Sequence, residues 1–233
     1  MNRFTDRSAA GQELARQLAR YQGQEDVLVL GLPRGGVPVA FEVARFLQSA
    51  MDVMVVRKLG APGQPEFAIG AIASGGVTLI NEDVPAWFKD SKAIERTAAA
   101  ERIELERRER AFRGGHSPLA AQGRTVILVD DGAATGATMR AAVRAARKLD
   151  ARKVVVALPV ASMEACELLT NEADEVICLG TPAGFYAVGQ WYEEFSQTTD
   201  EEVTDLLARS NSFHSSSGTQ APDRRTPRIP SAI

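Results

Sequence analysis

The chain has 233 residues, 45% hydrophobic and 24% charged, and its 27 basic and 30 acidic residues leave a net charge of -3. That is the make-up of one ordinary globular domain, large enough to need no disulfide or metal staple. Near charge balance excludes a broadly basic nucleic-acid-binding face but leaves room for a local basic pocket.

Two cysteines, Cys166 and Cys178, suit a reducing compartment and cannot build a disulfide framework. His116 and His214 assemble no zinc ligand set and offer little to a Ser-His-Asp engine. The longest apolar runs, as at 154–161, reach about eight residues. A membrane span needs about 18. The N-terminal stretch lacks the apolar region of a secretory signal, so a cytoplasmic location is expected.

Asp6 or Ser8 can cap a first helix on which Leu14, Leu18 and Tyr21 recur at i, i+4 and i+7, with Gly23 as its stop. Residues 27–30 read as a buried strand that ends in the loop Gly31-Leu32-Pro33-Arg34-Gly35-Gly36. Pro38 suits the first turn of the next helix, whose apolar face is Val37, Phe41 and Ala44. Residues 53–56 read as a second strand, followed at once by Arg57 and Lys58. The Gly/Pro-rich stretch 60–65 reads as loop, and 68–73 and 77–80 flank Ser74-Gly75-Gly76 as a hairpin.

Residues 92–113 predict a long charged helix, with Glu104–Arg108, Glu106–Arg110 and Glu109–Arg113 in the favourable i, i+4 order. Ile94, Ala98, Leu105 and Phe112 give it a thin apolar stripe. Its plain reading is a solvated, salt-bridged face; its sharper one is a mobile cover or subunit contact. A strand at 126–129, a loop at 130–138 and a helix running to Leu149 follow, with Met139 and Val143 on one helix face. A strand at 154–158, a helix at 163–170 and a strand at 176–179 continue the alternation. The pattern predicts an α/β fold: an open, mostly parallel, Rossmann-like sheet with a small hairpin and helical cover. From Ser210 the composition turns to Ser, Pro and Arg, so a single domain over 1–209 and a disordered tail over 210–233 are expected.

In such sheets ligands bind beyond the carboxyl ends of the strands. The strongest chemistry sits at one of these ends. Four apolar residues, Val126 to Val129, deliver Asp130 and Asp131 to the sheet edge, and Gly132, Ala133, Ala134, Thr135, Gly136, Ala137 and Thr138 lead into a helix. Small residues let backbone N–H groups approach a ligand, the threonines add hydroxyl donors, and a helix N-terminus carries roughly half a positive charge. Together they suit a phosphate dianion. The acids would repel it, but carboxylates accept hydrogen bonds, so they suit a neutral diol. Phosphate beside a vicinal diol describes a ribose 5-phosphate. A tight strand–helix turn with an Asp cap is the plain alternative, and it leaves the two acids, two threonines and small run unexplained. No Gly-Lys-Thr/Ser follows and no G-x-G-x-x-G is present, so this is neither a P-loop nor a dinucleotide fingerprint.

This stretch resembles the motif for phosphoribosyl pyrophosphate (PRPP) in type I phosphoribosyltransferases. The resemblance extends to 31–43 (GLPRGGVPVAFEV), which is similar to the pyrophosphate loop of guanine- and xanthine-type enzymes, and to 55–71 (VVRKLGAPGQPEFAIGA). Over about residues 3–209 the chain is similar to a bacterial group of phosphoribosyltransferases of undefined acceptor. The resemblance implies that Asp130 and Asp131 bind the ribose hydroxyls, directly or through Mg²⁺. It implies that Ala134, Thr135, Gly136, Ala137 and Thr138, with Ala133 at their start, hold the 5-phosphate. Arg34, Gly35 and Gly36, after Pro33, match a loop whose backbone amides face pyrophosphate and which often holds a non-proline cis peptide in the family. Lys58 fits a basic partner for the leaving pyrophosphate and Arg57 is the neighbouring candidate, with a solvated strand end as the alternative for both. One departure stands out. Ala134 occupies a position where purine-salvage enzymes often carry an Asp that moves a proton on the base, which narrows the acceptor without excluding catalysis.

The implied reaction displaces pyrophosphate from C1 of PRPP by a nitrogen acceptor, a nucleobase first among them, with Arg34, Lys58, Asp130 and Asp131 as the catalytic set. Mg²⁺ is the implied cofactor; PRPP and a small-molecule acceptor are the implied partners, with no membrane or nucleic acid, and fold relatives are often homodimers. The acceptor pocket is sought at 181–195, after the last strand, where aromatics concentrate in a chain that is 6% aromatic and where relatives form a hood over the base. Phe185 either stacks on the acceptor or is a core residue, whereas Trp191 and Tyr192 read as core or interface aromatics. Glu66 is a second acceptor-pocket candidate with no assigned role. A rival from another class is a PRPP- or nucleotide-binding regulator of the same fold without catalysis, for which Arg224, Arg225 and Arg228 in the tail are the only basic hint. A third is a non-catalytic interaction module built on the charged helix.

Overall fold

The computed structural model describes residues 2–61, 63–81, 84, 91–118 and 120–213, without the side chains of Pro65, Glu66 and Ser91. Its strands are β1 (Val27–Gly31), β2 (Ala50–Val53), β3 (Val56–Ala61), β4 (Gln64–Ala73), β5 (Val77–Ile80), β6 (Thr125–Val129), β7 (Lys153–Val160) and β8 (Glu175–Gly180). Its helices are α1 (Arg7–Gln17), α2 (Gly36–Leu47), α3 (Ser91–Arg113), α4 (Ala137–Lys148), α5 (Met163–Thr170) and α6 (Asp200–Ser210).

Five strands pair in parallel in the order β2-β1-β6-β7-β8. Successive side chains of a strand point to opposite faces. Val27, Val29, Ile127, Val129, Val155 and Ala157 therefore pack on one face, under α1, α2 and α6, in a core that continues to α3 over the small sheet. Leu28, Leu30, Val126, Leu128, Val154, Val156 and Leu158 pack on the other, under α4 and α5. Burial on both faces is why these strands read as unbroken apolar runs. The open parallel α/β sheet expected from the sequence is the fold observed.

Helix starts differ by position. Asp6 accepts from Ala9 N at 2.7 Å, Ser162 from Ala165 N at 3.0 Å and Thr199 from Glu202 N at 3.1 Å, capping α1, α5 and α6. α2 and α4 are entered through Gly35 and Gly136, which have no side chain to cap them. Those two helices start at the sheet edge described below.

The second sheet is antiparallel, in the order β3-β4-β5. Here the structure departs from the sequence reading. The run 53–56 is not one strand: the chain leaves β2 after Val53, and Met54 N still bonds Gly31 O at 3.0 Å. Val55 exchanges bonds with Ser74, and β3 then joins the other sheet. Arg57 and Lys58 thus lie within a strand. The described residues of 60–65 are strand and turn, with Gly60 at a register irregularity of the β3–β4 pair, so that glycine marks a bulge rather than a loop. The expected β4–β5 hairpin is present.

α3 docks through its predicted stripe: Ala98, Leu105 and Phe112 are buried and Ile94 packs beside them. Glu104–Arg108 and Glu109–Arg113 pair at 3.0 and 3.4 Å, while Arg110 donates to the Glu106 backbone carbonyl at 3.3 Å. Arg113 also pairs with buried Asp52 at 2.8 Å. α6 was not among the predicted elements. Its last residue, Ser210, is buried, and a short 3-10 turn over Asn211–Phe213 places the Phe213 ring 5.2 Å from Phe41. Ordered structure therefore continues past the expected boundary at 210; residues 214–233 of the predicted tail lie outside the described residues. Among the described residues, no helix is long and apolar enough to cross a membrane.

Candidate functional site

β1 and β6 are neighbours in register, Gly31 opposite Val129, so the segments that follow them leave the same sheet edge side by side. Leu32 N donates to Val129 O at 2.8 Å, and the Pro33–Arg34 peptide is cis. Gly35 and Gly36 then lie directly on the acidic pair. A Cβ on Gly35 would stand 2.0 Å from Asp131 Oδ2, and one on Gly36 would stand 2.7 Å from Val129 O and 2.8 Å from Asp130 Cα. Backbone leaves room only for glycine at 36, and a side chain at 35 would have to displace the Asp131 carboxylate.

Asp130 and Asp131 are half-buried and unequal. Asp130 Oδ1 accepts from Asp131 N at 2.9 Å. Asp131 Oδ2 accepts from Arg7 Nε at 2.8 Å, in a pair whose side chains are only 12% and 14% exposed. Burial, and then the Asp131 charge, push the Asp130 carboxyl well above its ordinary range. Burial also raises Asp131, against the pull of Arg7. Tyr192 is buried beneath, and its hydroxyl donates to the Asp131 backbone carbonyl at 2.6 Å.

The following loop is tied down at its start and open at its end. Ala133 N donates to Val160 O at 3.0 Å, Ser162 N to Ala133 O at 2.9 Å and Ser162 Oγ to Ala134 O at 2.7 Å. These bonds fasten the loop to the end of β7 and the cap of α5. Ala134, Thr135, Ala137 and Thr138 then lie exposed around the start of α4. Gly136, at φ 71°, makes the turn into the helix, a conformation that favours glycine.

The other predicted residues are placed unevenly. Arg34 is at the edge, its guanidinium 3.5 Å from Asp200 at the start of α6. Lys58 lines a cavity of about 570 Å³ between the small sheet and α4, together with Thr138, Arg140 and Arg144. Arg57 is drawn away: it bonds Glu101 of α3 at 2.6 Å, with Glu104 at 3.9 Å, so it fastens β3 to α3 and is not brought to the pyrophosphate loop. Phe185 is partly buried and stacks on Trp191 at 6.4 Å, beside a cluster that includes Phe4 and Tyr192. The Glu66 side chain lies outside the described residues.

Three residues of the site escaped sequence reasoning. Arg7 and Tyr192 support Asp131, and Asp200 faces Arg34. Nothing local in the sequence ties any of them to the acidic pair.

A parallel sheet with glycine-bearing loops at the adjacent ends of β1 and β6 defines an α/β domain of the kind that binds ligands beyond its strand ends. Residues 4–182 match the model of the phosphoribosyl transferase domain, and the chain belongs to that family. Curated relatives from the CDC 1551 / Oshkosh and H37Rv strains of Mycobacterium tuberculosis, each named provisionally as a phosphoribosyl transferase, are 50% identical over 212 residues. That alignment covers 91% of this chain and 48% of each relative, so the chain spans about half the length of the curated relatives it matches. The crystal structure of TT1426 from Thermus thermophilus is similar at 48% identity and a TM-score of 0.79, covering 89% of this chain and 98% of that one.

Proposed function

We propose that the chain transfers the 5-phosphoribosyl group of PRPP to a nitrogen acceptor and releases pyrophosphate. The observation that carries this reading is the direct packing of Gly35-Gly36 on Asp130-Asp131. It brings a glycine loop, two carboxylates and the small-residue start of α4 to one sheet edge, which supports a site for pyrophosphate, ribose diol and 5-phosphate side by side.

In this reading the ribose hydroxyls donate to Asp130, and the 5-phosphate accepts from the backbone and hydroxyls of Ala134 to Thr138. The leaving pyrophosphate accepts from the amides of Arg34 and Gly35, with the Arg34 guanidinium as its cation, while the Gly36 amide stays bonded to Leu32 O at 3.0 Å. The acceptor nitrogen bonds to C1 as the C1–O bond breaks, and the electron pair of that bond leaves on pyrophosphate. Charge stabilisation and positioning are the protein's main tasks in such a step. Lys58 lines the same cavity as Thr138 and adds a positive charge to it.

The acidic pair fits Mg²⁺, which takes oxygen ligands, needs only one or two carboxylates and completes its shell with water and ligand phosphates. Among the described residues no group of three or more His, Cys, Asp or Glu could hold a metal. Asp130 is the residue best placed to hold it. When bound, the cation would neutralise charge on pyrophosphate. Ala134 gives the phosphate loop no proton acceptor, so the acceptor must attack without help from a carboxylate there.

The test is pyrophosphate release from PRPP and Mg²⁺ across a panel of nucleobases and other nitrogen heterocycles. Release that depends on one acceptor and vanishes in Asp130→Asn is the expected result. PRPP binding with no release for any acceptor would contradict transfer and favour a PRPP-responsive regulator.

A further inference from the structure

Arg7 closes a ring of contacts around the site, and we propose that it is a positioning residue: it commits Asp131 to the scaffold, leaves Asp130 to meet the ligand, and holds the 32–36 loop against the pair. Only the identity of that ligand rests on the proposed function.

The ring can be followed residue by residue. Arg7 Nε donates to Asp131 Oδ2 at 2.8 Å, across 124 residues of sequence. Arg7 Nη1 donates to the Ser196 carbonyl at 2.7 Å, and its guanidinium lies 3.9 Å from the Phe195 ring centroid. Four residues beyond Ser196, Asp200 opens α6, and its carboxylate stands 3.5 Å from Arg34. Arg34 adjoins Gly35, whose missing side chain leaves space that both Asp131 Oδ2 (2.0 Å from an added Cβ) and Arg7 Nε (3.3 Å) would contest. One side chain thus links the start of α1, the β6–α4 loop and the 195–196 segment, and through α6 it reaches the β1–α2 loop.

Arginine suits this post for three reasons. Its fork offers separate donors to a carboxylate and a carbonyl, its plane stacks on an aromatic ring, and it keeps its charge when nearly buried. A lysine offers a point charge and cannot meet all three demands. The backbone beneath it is fixed as well, since Asp6 caps α1 one residue earlier. With one Asp131 oxygen taken by Arg7, the two aspartates differ: Asp131 is structural support and Asp130 makes no ion pair among the described residues.

The test uses the full chain, first without ligand. Hydrogen exchange of Arg7→Gln is expected to quicken at least tenfold in peptides covering 32–37 and 193–200, while peptides from β6 and β7 keep their protection. Arg7→Lys, which keeps the charge without the fork, falls between, and it carries the test if Arg7→Gln does not fold. Unchanged exchange at 32–37 would overturn the proposal. With PRPP and Mg²⁺, Arg7→Gln and Asp131→Asn should each weaken binding at least tenfold, and the double variant should be no weaker than the worse single one. Losses that simply add would also overturn it. A wild-type chain that binds no PRPP would refute the functional reading alone, because the exchange result still decides the role of Arg7.

Discussion

The two loops at the sheet edge are built from similar residues for opposite reasons. Between β1 and α2, glycine is required because there is no room: the backbone lies on Asp130 and Asp131. Between β6 and α4, Gly132 and Ala133 are packed in the same way, but Ala134, Thr135, Ala137 and Thr138 face solvent, and their smallness leaves room for something else. The first loop is packed where it meets the acids and the second opens toward its helix, although both read as small-residue turns. Glycine or alanine at a strand–helix junction therefore does not by itself say whether a ligand or the protein fills the space.

The largest expected effect comes from breaking what the two loops share. Asp130→Asn with Asp131→Asn should weaken PRPP binding at least 100-fold, a loss of about 2.7 kcal/mol or more, while circular dichroism shows the fold retained. Next comes the contrast itself. Gly36→Ala drives a Cβ into backbone atoms at 2.7 and 2.8 Å, and such overpacking costs about 1–3 kcal/mol. Ala134→Ser, on the open loop, should stay within about 0.5 kcal/mol of wild type in the same thermal melts. Equal losses at the two positions would erase the distinction.

A smaller effect concerns charge at the packed side. The Asp130 carboxyl holds its proton to a higher pH in the folded chain than in the unfolded one, where its ordinary value is 3.8. Folding therefore becomes less favourable as pH rises from 3.8 to the raised value, and that loss persists above it. Asp130→Asn removes the loss, so the ligand-free variant should melt above wild type at neutral pH, with the gap closing below 3.8. A lower melting temperature across that range would show that the carboxylate stabilises the fold. The smallest effect lies farthest from the edge. Truncation after Ser210 removes the Phe213 ring from Phe41, an aromatic pair worth about 0.5–1.5 kcal/mol, and should lower Tm by a few degrees relative to truncation after Phe213.

The β6–α4 loop is legible in the sequence because its chemistry is contiguous: strand, acids, small residues and helix follow one another from Val126 to Thr138. The doubly buried strands are legible for the same local reason. Arg7 is not, since it meets Asp131 across 124 residues and looks like any helix-start arginine until α1 is placed. The run 53–56 misleads because an apolar stretch does not say which sheet it joins, and here it crosses between two. α6 carries a readable signal: Thr199 and Glu202 have capping spacing, and Val203, Leu206 and Leu207 follow at helical spacing. The polar composition around it conceals that pattern. Arg57 shows a further limit, because only the docking of α3 reveals Glu101 as its partner.

The most direct measurement is calorimetric titration of PRPP into the full chain with and without Mg²⁺, since it needs no knowledge of the acceptor. Micromolar, Mg²⁺-dependent binding that disappears in the Asp130→Asn, Asp131→Asn variant is the expected result. Absence of binding, or binding that the double variant leaves unchanged, would contradict the assignment of the acidic pair and its two loops as a phosphoribosyl site.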